Sequence, residues 1–167
     1  MEDTKGRKVV IREAKKEDMV EVDKMIQELA VFENLTGDAR LSASDLIRDG
    51  FECRPGAFGC KVAEVDGQLT GYALYHRTYS TCTGHGLMLE DLYVRERMRR
   101  QGIGERLFNA VAKQALEQGC ARLELHVLDW NPARSFYEAR GAVDMTAARW
   151  RYYRLGTEAL RQAAQRE

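Results

Sequence analysis

Between Arg99 and Gly104 the chain reads Arg-Arg-Gln-Gly-Ile-Gly, ahead of apolar residues at Leu107, Ala110, Val111, Ala115 and Leu116. That spacing predicts a helix whose amino end opens on two glycines. A helix amino terminus presents backbone N–H groups without intrahelical partners and the positive end of the dipole. Glycines there remove side chains that would block an anion, and Arg97, Arg99 and Arg100 add positive charge. Together these make a site for a diphosphate. Two nucleotide motifs fail on residue identity. A dinucleotide fingerprint needs a third glycine where Leu107 stands, and a P-loop needs Gly-Lys-Ser/Thr where the chain has Gly104-Glu105-Arg106. Just upstream, Leu89-Glu90-Asp91-Leu92-Tyr93-Val94 reads as a strand carrying two successive carboxylates. Strand alternation sends Asp91 to the face opposite Glu90, which makes Asp91 a structural residue.

The elements that must hold these residues follow from periodicity. Residues 8–14 are β-branched and read as a first strand. Met19, Val22, Met25, Ile26, Leu29 and Phe32 recur at helical spacing over 16–32, and a second helix is expected from Ser42, paired with Asp45 as a cap, to Gly50. Residues 60–65 and 69–79 flank Asp66-Gly67, a hairpin signal, and residues 86–94 form the next strand. The helix after Gly104 stops at Gly119. A strand over 121–130, a helix opened by Asn131-Pro132 and ending near Gly141, a short strand at 142–144, a final strand at 150–155 and a helix capped by Thr157 complete the order. Hairpins amid helices predict an α/β (α+β) fold with a mixed sheet rather than an all-parallel one.

Composition bounds the function. The 167 residues suit one domain over 1–167, with residues 1–6 expected to be a disordered N-terminus. Lys plus Arg and Asp plus Glu are 26 each, which supports neither nucleic acid nor an anionic membrane as partner. Cys53, Cys60, Cys82 and Cys120 form no C-x-x-C pair, so no metal site is expected. No secretory leader or apolar run of spanning length is visible, and a reduced, cytoplasmic enzyme with free thiols is the expectation.

The Arg-x-x-Gly-x-Gly run after LEDLYV, with Asn131 and then Phe136-Tyr137-Glu138-Ala139-Arg140-Gly141-Ala142, resembles the GNAT superfamily of acyl-CoA N-acyltransferases. It is most similar to the spermidine/spermine and thialysine N-acetyltransferases, through IREA at 11–14, ELAVFE at 28–33, DGF at 49–51, VAEV at 62–65, LMLED at 87–91 and VLDWN at 127–131. The resemblance covers nearly the whole chain. It implies a central mixed, mostly antiparallel sheet flanked by helices, acetyl-CoA as co-substrate, no metal, and a homodimer. In the family a splayed strand offers backbone groups to the pantetheine arm, at positions matching Leu92, Tyr93 and Val94. The phosphates would lie over Arg99, Arg100, Gln101, Gly102, Ile103 and Gly104. Asn131 would contact the cofactor and Tyr137 would lie near the thioester sulfur. The usual spacing from that Asn to that Tyr is one residue longer than here.

An alkyl ammonium has a pKa near that of Lys, roughly 10.4, and cannot attack a thioester until it loses a proton. Glu90 matches the family's proposed general base, acting directly or through water, and Tyr137 its proton donor to the departing thiolate. The backbone N–H of Leu92 or Tyr93 is placed to polarise the thioester carbonyl. Selecting a cationic amine calls for carboxylates or aromatic faces. Glu28, Glu33 and Glu90 are the acidic candidates, and Trp150 matches a family tryptophan. Polyamine-specific members carry Asp-Pro-Trp where this chain has Ser80-Thr81-Cys82, and acidic residues where it has Ala147-Ala148-Arg149. The reading is therefore acetyl transfer, by direct attack in a ternary complex, to a primary amine of a small cationic metabolite of thialysine, diamine or polyamine type. A shorter amine or an amino acid with a side-chain amine fits best, Arg149 meeting its carboxylate. The alternatives are a protein lysine or N-terminal acetyltransferase and a non-catalytic acyl-CoA-binding module.

Overall fold

The computed structural model describes residues 8–37, 39–148 and 150–164. The expectations for residues 1–6 and for Arg149 lie outside the described residues. The chain divides into two compact units, one ending at His126 and one beginning at Val127.

The first unit is built on one five-stranded sheet in sequence order, β1 Val9–Glu13, β2 Gly59–Val65, β3 Gln68–Ser80, β4 Gly84–Val94 and β5 Arg122–Leu125. The β1–β2, β2–β3 and β3–β4 pairs are antiparallel and β4–β5 is parallel. The sheet is thus mixed and mostly antiparallel, as expected. Helix α1, Met19–Phe32, and the short α2, Ala43–Ile47, cover one face. Met19, Val22, Met25 and Leu46 pack there with Val62, Tyr72, Leu74 and Tyr93. The other face takes α3, Ile103–Glu117, through Ile103, Leu107, Val111 and Ala115, all buried. Leu107 reaches Gly71, the β3 residue before the inward-facing Tyr72, so a Cβ at Gly71 would meet it at 3.2 Å. Ser42 accepts from the Asp45 N–H and Asp45 returns the bond, the capping box expected from the sequence. Past α2 the backbone widens into a π-turn over Arg48–Glu52. The Asp66-Gly67 turn closes the β2–β3 hairpin with both residues at positive φ.

Helix α3 stops at Gly119, whose φ is 68°. The strand expected over 121–130 is only Arg122–Leu125. Its ladder runs from Gly86↔Arg122 to Leu89↔Leu125 and ends there. The next β4 residue, Glu90, is the extra residue of a bulge, opposite the β3 step between Leu74 and Tyr75. The bulge bends β4 and ends the pairing.

The second unit contains α4, Ala133–Glu138, a 3₁₀ turn at Met145–Ala148 and α5, Thr157–Ala164. The strand expected at 142–144 is absent. Asp144 instead accepts from the N–H and hydroxyl of Thr146, at 2.9 and 2.6 Å, and this local turn competes with extension. The strand expected at 150–155 is also absent, because its β-prone residues find no ladder partner among the described residues.

Candidate active site

The bulge at Glu90 organises the site in the first unit. Asp91 pairs with Leu74, which belongs to the core beneath α1, and accepts the Tyr72 phenol at 2.9 Å. Glu90 lies 3.3 Å from His76 Nε2, and His76 shares the face of Tyr72 and Leu74 by alternation along β3. Both carboxylates therefore point to the α1 side. This corrects the expectation that Asp91 faces away from Glu90, because the extra residue resets the alternation.

The two acids differ in environment. Glu90 is exposed and Asp91 partly buried. Burial first, then the charges of Glu90 and Glu33, push the Asp91 carboxyl up to about 6, against the pull of the Tyr72 hydroxyl. Glu33, at the end of α1, is half-buried and its carboxyl is also pushed up by burial. Tyr72 is fully buried and its phenol is held well above its ordinary range, by burial and by Asp91, so it stays a donor.

Glu28 serves a different group. It accepts from the Tyr93 hydroxyl at 3.1 Å and from Arg95 at 3.0 Å, and Arg95 also reaches Glu21 at 2.6 Å. Its carboxylate is thus matched by a cation of this chain and ties α1 to the end of β4. The sequence reading missed Arg95, since Glu28 and Arg95 are 67 residues apart and nothing local links them.

Beyond Leu89, β4 has no strand partner on its β5 side among the described residues. The Arg95 N–H bonds Thr70 O toward β3, so alternation turns the backbone of Leu92 and Val94 to the open edge and that of Tyr93 inward. Arg99 Nε donates to the Val94 carbonyl at 2.8 Å. Its guanidinium stacks near the rings of Phe32 and Tyr93, at 5.0 and 5.5 Å. Arg97 and Arg100 are exposed, and Gln101 Nε2 donates to the Arg97 carbonyl at 3.4 Å. Of the three arginines, Arg99 therefore braces the strand end while the other two face solvent.

Helix α3 starts on Gly102 at φ 74°, with no side-chain cap. Its first N–H groups lack intrahelical partners. Ile103 is buried and anchors the helix, leaving its backbone as the group a ligand meets. A Cβ at Gly102 would have nothing within 4 Å, and one at Gly104 would meet only Val94, at 3.7 Å. Uncapped donors, open space and two exposed arginines fit a diphosphate, and the free edge at Leu92 and Val94 fits an extended amide-bearing arm.

In the second unit Asn131 Oδ1 accepts the Ala133 N–H at 2.9 Å, a local turn ahead of α4, whose N-cap is Pro132. Tyr137 is buried, its ring edge-on to Phe136 at 5.2 Å. Trp150 is exposed. Among the described residues, no group of three or more His, Cys, Asp or Glu is placed to hold a metal, and no helix is long and apolar enough to cross a membrane.

Residues 23–142 match the model of the Acetyltransferase (GNAT) family. A thialysine N-epsilon-acetyltransferase of Sus scrofa is 42% identical over 166 residues, 93% of this chain and 97% of that protein. A spermidine/spermine N(1)-acetyltransferase-like protein 1 of Homo sapiens is 37% identical over 90% of this chain, though this covers only 23% of that longer protein. Among solved structures, an integron cassette protein from the mobile metagenome of V. cholerae superposes with a TM-score of 0.74 at 23% identity, covering 95% of this chain and 98% of the other.

Proposed function

Because the chain belongs to the acetyltransferase (GNAT) family, we propose that it transfers acetyl from acetyl-CoA to the side-chain or terminal amine of a short cationic metabolite. The observation that carries this reading is the pairing of an uncapped, glycine-led helix start with a strand edge opened by the bulge at Glu90. The thialysine-acting relative supports the substrate class. Two further features favour a short amine over a long polycation. The Ser80-Thr81-Cys82 segment lacks an acidic residue, and Ala147-Ala148 stand where polyamine-specific enzymes place carboxylates.

The backbone N–H groups of Gly102, Ile103 and Gly104 would hold the diphosphate, aided by Arg100 and Gln101. Leu92 and Val94 would align the pantetheine arm along β4, and the family resemblance marks Asn131 as a further cofactor-binding position. Bound acetyl-CoA supplies a thioester carbon open to attack and a thiolate leaving group. Glu33 and Glu90 draw the ammonium to the sheet. Proton removal falls to the acidic pair Glu90–Asp91, Glu90 being the position that the family resemblance marks. By family resemblance alone, Tyr137 is assigned as the proton donor to the departing sulfur and Trp150 as a substrate contact. Transfer is direct, within a ternary complex, and needs no covalent enzyme intermediate. We assign the enzyme to the cytoplasm, where its four free cysteines stay reduced, and expect a homodimer.

The test is release of free CoA from acetyl-CoA with putrescine, spermidine, thialysine, lysine or a lysine-bearing peptide. Turnover is expected with the short amines and not with the peptide. Release with the peptide alone would make this a protein acetyltransferase. Tight acetyl-CoA binding with no turnover on any amine would make it a binding module.

A further inference from the structure

We propose that Asp91, rather than Glu90, is the first acceptor of the proton shed by the substrate ammonium, with Tyr72 fixing its carboxylate and exposed Glu90 passing the proton to water. This rests on the acetyltransferase reading above. The bulge carries it. In an unbroken strand two successive carboxylates would point apart, but the extra residue at 90 sends both toward α1.

The groups facing Asp91 come from each neighbouring element. Tyr72 from β3 donates to it at 2.9 Å, and Glu33 at the end of α1 and Glu90 on β4 add negative charge. The buried Cys60 thiol of β2 is pushed up, first by burial, then by Asp18 and Glu13, and least by Asp91. No Lys, Arg or His among the described residues pairs with Asp91, whereas Glu90 meets His76. A partly buried carboxylate without an internal cation is poised for one that arrives from outside. Burial, and then the charges of Glu90 and Glu33, push its carboxyl up to about 6. It is then still largely ionised at pH 7, yet a stronger base than an ordinary aspartate.

The step balances. An Asp91 oxygen takes one proton from R–NH3⁺ and leaves R–NH2. The amine lone pair forms the N–C bond to the acetyl carbon while the C–S electron pair leaves with sulfur. The second N–H proton ends on that sulfur, giving thiol and amide. The proton on Asp91 returns to water by way of Glu90, so one proton is released per turnover.

The experiment compares kcat/KM against pH for the wild type, Asp91→Asn, Glu90→Gln and Tyr72→Phe, using the best amine of the panel, with acetyl-CoA affinity measured by calorimetry. Wild-type activity should fall on the acid side of about pH 6. Asp91→Asn should lose about 100-fold at pH 7, lose that acid limb, and recover as pH approaches the amine's own pKa of roughly 10, with acetyl-CoA affinity held. Glu90→Gln should keep an acid limb, moved to lower pH because one raising charge is gone, with about a 10-fold loss at most. Tyr72→Phe should move the limb to higher pH, because the lost donor no longer favours the carboxylate. If Asp91→Asn does not fold, Tyr72→Phe decides, and an unmoved limb overturns the proposal. Wild-type rates in Asp91→Asn, or loss of the limb in Glu90→Gln, also overturn it while leaving the acetyltransferase reading intact. A wild type that acetylates no amine removes both.

Discussion

Helices α2 and α3 begin in opposite ways. At the start of α2, Ser42 and Asp45 exchange hydrogen bonds, and Arg48 adds an ion pair to Asp45 at 2.8 Å. The N–H groups of Ser42 and Asp45 are thus satisfied from within the chain. At the start of α3 no side chain caps the turn, and Gly102 and Gly104 keep the space in front of it clear. The first end contributes to stability. The second leaves its N–H groups open toward the diphosphate proposed above. An uncapped helix end is therefore informative when its neighbours are glycine and arginine and a capped helix stands nearby for contrast.

The sharpest way to break this comparison is Gly104→Asp. A carboxylate in the first turn of α3 favours the helix dipole, and its Cβ would meet only Val94, at 3.7 Å. Thermal stability should hold or rise while acetyl-CoA affinity falls by about 100-fold, or about 2.7 kcal/mol, from repulsion of the diphosphate. Equal affinity by calorimetry would place the diphosphate elsewhere. Gly102→Ala comes next. Its φ of 74° strains an L residue, so it should lose about 1–2 kcal/mol in denaturant unfolding and weaken acetyl-CoA binding together.

Ser42→Ala is the reciprocal control. It should lose about 1 kcal/mol of stability and leave acetyl-CoA affinity unchanged. The smallest effect is on pH dependence. Hydrogen bonds from Ser42, and then from Arg48, hold the Asp45 carboxyl down at about 2. A depressed folded pKa gives stability that is present above the ordinary carboxylate pKa of about 3.9 and lost as pH falls toward 2. Asp45→Asn should therefore narrow the Tm difference between pH 5 and pH 2.5, lowering the Tm more at pH 5 than at pH 2.5.

Much of this arrangement is legible along the chain because it is local. The Ser42 cap, the Asp66-Gly67 hairpin, the glycine-led start of α3 and its stop at Gly119 each follow from a few adjacent residues whose backbone preferences point one way. Strand faces were less legible. Alternation placed Glu90 and Asp91 on opposite faces, and a one-residue bulge reversed that without any Gly or Pro to announce it. The strands expected at 142–144 and 150–155 failed for a related reason. Propensity describes what a segment can become, whereas a strand also needs a neighbour to pair with.

The amino-acid sequence by itself determined the helices, the hairpin, the mixed character of the sheet and the glycine-arginine run, since each depends on spacing within one element. Tertiary structure alone decided which carboxylate is buried beside Tyr72, which arginine braces Val94, and that Glu28 answers Arg95. These depend on where β4 bends and on which residues far apart in the chain then meet. The balance between burial and compensating charge, which sets the chemistry of each acid, exists only once those neighbours are assembled.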